Sequence, residues 1–168
     1  MIVNQQRNVR FARKPLETFL RRVKKELGVQ EFEVTVRFVS DVVIAGMNER
    51  FRKKLGPTDV LSFPARKIRR DRLRKGKIIY PQAAGDAEGA SKSREGPGSV
   101  ATEAYLGDIA ISPETARRYA KKNGRSLSNE LRVLILHGVL HLMGYDHETD
   151  RGEMNRMERK LRRRFGLA

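Results

Sequence analysis

The sequence predicts an α+β domain, and three observations predict it. Residues 32–39, FEVTVRFV, alternate apolar and polar side chains with period two, the mark of a half-buried strand. About five other stretches repeat apolar residues every three or four positions, as amphipathic helices do. Strand-like and helix-like stretches are interspersed along 168 residues, a length that gives one domain with a real hydrophobic core.

Taken in order, MIVNQ at the start reads as a short, weakly marked strand. Pro15 suits a first helical turn, and Leu16, Phe19, Leu20, Val23 and Leu27 form an apolar stripe closed by Gly28. Arg21, Arg22, Lys24 and Lys25 lie largely off that stripe and read as a solvated face. After the strand at 32–39, Ser40 or Asp41 caps a second helix through Val43, Ile44, Met47, Phe51 and Leu55, stopped by Gly56-Pro57. TDVLSF (58–63) is a short strand ended by Pro64.

The next forty or so residues break the pattern. Residues 65–77, ARKIRRDRLRKGK, hold eight basic side chains and one acidic, a solvated or phosphate-contacting arm. Ile78 to Tyr80 could add a brief strand. Residues 81–99 carry four glycines and two prolines with almost no large apolar residue, a candidate mobile loop. This insertion, at about 65–100, interrupts one domain spanning 1–168 and does not separate two.

Order resumes with a strand at AYLGDIAI (104–111). Ser112 caps a third helix with Pro113 in its first turn, continuing through Ala116, Tyr119 and Ala120 to Asn123-Gly124. Ser128 is placed to cap a fourth, apolar enough to be central. A last helix carries Met154, Met157, Leu161 and Phe165 as core, with Arg156, Arg159, Lys160, Arg162, Arg163 and Arg164 forming a basic surface.

The fourth helix holds the chemistry. All three histidines of the chain, His137, His141 and His147, fall within LHGVLHLMGYDH (136–147). Residues four apart share a helix face, and Gly144 can end the helix and turn the chain so that His147 joins them. Three imidazoles suit zinc, which in catalytic sites keeps a further position for water and lowers its pKa. The spacing His-x3-His-x5-His equals that of the long metzincin protease signature. Gly138, however, stands where such a helix has the glutamate base, which argues against a peptidase. Asp146 could accept a hydrogen bond from a ligand histidine or serve as a cap.

Charge points the same site elsewhere. Thirty-six Lys and Arg against 20 Asp and Glu give a formal charge of +16, which suits a polyanion: nucleic acid first, an anionic membrane surface second. There is no cysteine, so disulfides and thiolate metal sites are excluded. No apolar leader or run of about 18 apolar residues is present, and the expectation is a soluble cytoplasmic protein.

HGVLHLMGYDH (137–147) resembles the signature of the YbeY-type endoribonucleases, the rRNA maturation factors. NERFR (48–52), TDVLSFP (58–64) and LGDIAIS (106–112) match in order, and Glu130 and Met157-Glu158 also fit. The resemblance covers nearly the whole chain. It implies a central mixed sheet of about four strands, about five helices packed on it, and a Zn2+ site on a central helix and the turn after it. It implies His137, His141 and His147 as ligands, His141 and Arg52 as catalytic, with Arg52 on the scissile or a neighbouring phosphate; a surface ion pair is that arginine's plainer role. Asp59 and Ser62 would line the cleft as RNA contacts or as structural hydrogen bonders. Arg66, Lys67, Arg69 and Arg70 would grip RNA from the insertion, which is longer than the family's usual connection. The implied function is single-strand-specific cleavage in rRNA maturation for the small ribosomal subunit; a non-catalytic assembly factor with a structural zinc is the alternative.

Overall fold

Period-two alternation does build the sheet. The computed structural model describes residues 1–65, 104–147 and 150–167. Four strands, β1 (Ile2–Asn4), β2 (Phe32–Phe38), β3 (Val60–Pro64) and β4 (Ala104–Ile111), lie in the order β1-β2-β4-β3. The first three neighbours run parallel and β3 returns antiparallel on the edge, so the sheet is mixed. Pro64 is tolerated at the end of β3 because an edge strand does not need its missing N–H. The helices are α1 (Arg13–Glu26), α2 (Asp41–Arg52), α3 (Pro113–Lys122), α4 (Leu127–Leu142) and α5 (Glu153–Arg164).

Val34, Val36 and Phe38 of β2 and Leu106, Ile109 and Ile111 of β4 share one face and join α1, α4 and α5 in the main core. Ala110 and Leu61 turn to the opposite face, where Ile44 of α2 covers them. The α4 helix is buried almost all round, as its near-uniform apolarity requires, and touches α1, α3, α5, β3 and β4. It is the element that carries His137 and His141.

One glycine fixes β4 against β3. Leu106 is an extra residue between the Glu33–Tyr105 and Val34–Gly107 pairs, a bulge. Gly107 follows with φ +145°, and a Cβ there would lie 2.3 Å from the Phe63 carbonyl oxygen. Only glycine fits.

Several boundaries differ from the sequence expectation. The α2 helix stops at Arg52, with Lys53 in the left-handed region at φ 57°, because the Asn48 amide donates to the Gly56 carbonyl and folds the chain back. Leu55, expected on its apolar stripe, is exposed, as is Tyr119 of α3. Ser126, not Ser128, caps α4, its hydroxyl accepting from the Asn129 N–H. The strand expected at Ile78–Tyr80, the basic arm with Arg66, Lys67, Arg69 and Arg70, and the glycine-rich stretch lie outside the described residues. Among the described residues no helix is long and apolar enough to cross a membrane.

Asp41, at the start of α2, ties that helix to the start of α3. Its carboxylate accepts from Ser112, Thr115 and Arg118. Burial raises its pKa, but those three donors together outweigh burial and lower it. The contribution is therefore present above the unfolded carboxylate range and is lost as pH falls through the lowered value. Asp41→Asn is expected to cost about 2 kcal/mol at pH 7. Urea unfolding of both proteins should show that gap closing below about pH 4; a gap independent of pH would refute the assignment.

Candidate metal centre and cleft

Helix geometry and one turn bring the three imidazoles together. The α4 helix ends with the Gly144 N–H on the His141 carbonyl and the Tyr145 N–H on the Leu140 carbonyl, a Schellman closure with Gly144 at φ +84°. The reversal returns His147 to the helix face, its ring stacked 5.1 Å from that of His137. Each histidine offers one nitrogen, and the three lie within 4.8 Å of one another. Nε2 of His137 and Nε2 of His141 are 3.0 Å apart. Two nitrogens on a tetrahedral zinc at about 2.0–2.1 Å would be separated by roughly 3.3 Å. The donor set therefore fits such an ion.

Electrostatics keep the nitrogens available. Burial, then the neighbouring imidazole charges of His137 and His147, lowers His141 from its usual 6.5 to about 4, so its ring is neutral near pH 7. Nδ1 of His137 lies 3.0 Å from Glu158 Oε2. Burial raises the Glu158 pKa, but the His137 hydrogen bond, with the charges of His137, Arg162 and His147, lowers it overall. An ionised Glu158 accepts a hydrogen bond from Nδ1–H and so leaves the Nε2 lone pair facing the other histidines. Asp150 fixes the start of α5 by accepting from the Gly152 and Met154 N–H groups, and so holds Glu158 in reach.

Sequence reasoning gave Glu158 no role. Its signal was present: it lies four residues after Met154 and three before Leu161, both buried, so a carboxylate sits on an apolar stripe. Such a placement asks for a partner.

The histidines open into a cavity of ≈ 180 Å³. Arg52, at the end of α2, lines it too, together with Thr58, Asp59, Ser62 and Asp146. Arg52 arrives there because Phe51 packs edge-on against Phe63 of β3, centroids 5.0 Å apart. The Asp59 carboxylate accepts from the Val60 N–H and the Thr58 hydroxyl, fixing the turn into β3. Residues far apart in sequence thus share one small concave site.

A family model described as endoribonuclease YbeY matches residues 1–166. The chain belongs to this family. Relatives bearing that name include one from Koribacter versatilis, 38% identical over 99% of this chain and 86% of its own length. Another, from Aquifex aeolicus, is 36% identical over 80% of this chain and 69% of its own. The solution structure of TM1509 from Thermotoga maritima shares the fold, with TM-score 0.51 and 24% identity, covering 95% of this chain and 85% of that one. In this YbeY-family chain, then, the three-histidine cluster shares a cleft with an arginine beside the edge strand of a mixed sheet.

Proposed function

We propose that this protein is a zinc-dependent endoribonuclease that cuts single-stranded RNA in the maturation of small-subunit rRNA, acting in the cytoplasm. The observation that carries the reading is the meeting of Arg52 with His137, His141 and His147 in one cavity. Among the described residues the metal-ligating cluster has three members, which leaves room for chemistry beside the protein ligands. Membership of a family described as endoribonucleases, and the +16 charge, support a phosphodiester substrate.

A zinc ion in the histidine cluster would supply a Lewis acid for water or for a phosphoryl oxygen. The chain's own groups do the rest. Glu158 holds His137 in the tautomer that presents Nε2. Arg52 pairs with nonbridging phosphate oxygens, where negative charge grows as the water oxygen bonds to phosphorus and the ester bond breaks. Asp59 holds the turn that sets the cleft wall, and Ser62 offers a hydroxyl to the RNA backbone.

Cleavage of single-stranded rRNA fragments by the parent, His141→Ala and Arg52→Glu tests this, with folding checked by circular dichroism. Each variant is expected to lose about 100-fold or more in rate. If highly purified parent cuts nothing, or both folded variants cut as fast as it does, a non-catalytic assembly factor with a structural zinc takes its place.

A further inference from the structure

The cleft does not account for a strongly basic concave surface elsewhere among the described residues. A groove of ≈ 730 Å³ is lined by Arg125, Arg156, Arg159, Lys160, Arg162 and Arg163, with no acidic side chain in its wall among the described residues. At 3.6 residues per turn, Arg156, Arg159, Lys160 and Arg163 fall on the face of α5 turned away from Glu158 and the core. Like charges at i, i+3 and i+4 oppose helix formation, so this clustering works against the isolated domain. A polyanion would offset it.

The groove continues toward the metal loop. A second hollow of ≈ 380 Å³ shares Arg156 and Lys160 with it and is walled by Tyr145, Met157 and one carboxylate, Glu153. Tyr145 precedes Asp146 and His147, which line the cleft. Side by side, therefore, lie a row of cations and a hollow with an aromatic, a thioether and one carboxylate, and the aromatic adjoins in sequence two residues of the cleft. Cations that track a backbone beside an aromatic platform suit single-stranded nucleic acid, whose bases are free to stack. A duplex keeps its bases paired and has no use for the hollow.

We infer that the α5 groove and the Tyr145–Met157 hollow form an exosite that holds single-stranded RNA beyond the cleft, phosphates along the arginines and a base against Tyr145. The inference rests on the proposed function only for the choice of RNA as the polyanion. It is independent of whether the bond is cut.

The test is fluorescence anisotropy with a labelled, unstructured oligoribonucleotide of about twenty nucleotides, its integrity checked by gel after each titration. A matched RNA duplex and a polyglutamate peptide serve as competitors. Arg159→Gln/Lys160→Gln/Arg163→Gln is expected to bind the single strand at least 10-fold more weakly, with a salt slope reduced by about 2. Its melting temperature should equal or exceed the parent's, since repulsion is relieved. Tyr145→Leu should weaken the single strand and leave duplex binding unchanged, while His141→Ala should retain the exosite's affinity. A triple variant that binds with the parent's affinity and slope overturns the inference. So does a parent that prefers the duplex or the acidic peptide. A protein that binds through this groove but cuts nothing would sink the nuclease reading and leave the exosite standing.

Discussion

Gly138→Glu is expected to unfold the protein instead of supplying a protease base. A Cβ at Gly138 would lie 2.7 and 2.8 Å from Cγ2 and Cδ1 of Ile109, and Ile109 is fully buried in β4. A single added methyl there forces α4 off the sheet, at about 1–3 kcal/mol. Extending it to a carboxylate adds several kcal/mol for a buried charge without a partner. Domains have about 5–15 kcal/mol in all, so little or none remains. Circular dichroism and urea unfolding should show Gly138→Ala folded but weakened and Gly138→Glu largely unfolded. Ile109→Val should offset part of the Gly138→Ala loss, a non-additivity expected of touching residues. A stable, folded Gly138→Glu protein would mean that α4 does not rest on β4 as described.

That glycine shows what the sequence could and could not disclose. Its identity alone argued against a peptidase, but its reason is a helix–sheet contact 29 positions away in sequence (138 − 109), which no local pattern encodes. The metal cluster was legible because its determinants are local: an i, i+4 pair on an apolar helix and a glycine that closes it. The alternating β2 and the serine and proline that start α3 were legible for the same reason. Arg52 reached the cleft only through resemblance, since its position depends on Phe51 meeting Phe63 across two elements. Ser126 and Ser128 are equally good caps by type, and it is the Ser126 hydroxyl that accepts from the Asn129 N–H. The Gly56-Pro57 stop misled by being the stronger signal; the Asn48 side chain ends α2 sooner.

Zinc is expected to raise the melting temperature of this protein, and His147→Ala to abolish the rise while leaving the metal-free fold intact. His147 is the exposed member of the cluster, so its loss from the apo protein should stay within about 0.5 kcal/mol. At zinc about 100-fold above its dissociation constant, binding adds about 2.7 kcal/mol. For a chain of this size that amounts to about 5–11 °C. Glu158→Gln, which keeps the shape but removes the charge that holds the His137 Nδ1 proton, should weaken zinc by about 10–100-fold. Arg52→Glu should keep the full zinc increment, because no imidazole depends on Arg52 for its orientation. Scanning calorimetry in chelator and in defined free zinc reads all four proteins, and the zinc-dependent increment is the quantity that decides. The main core unites α1, α4, α5 and the sheet without the histidines, so the chelated parent should melt cooperatively at a lower temperature. If chelation instead unfolds it outright at 25 °C, the metal is part of the fold, and the case for an open catalytic site loses its physical basis.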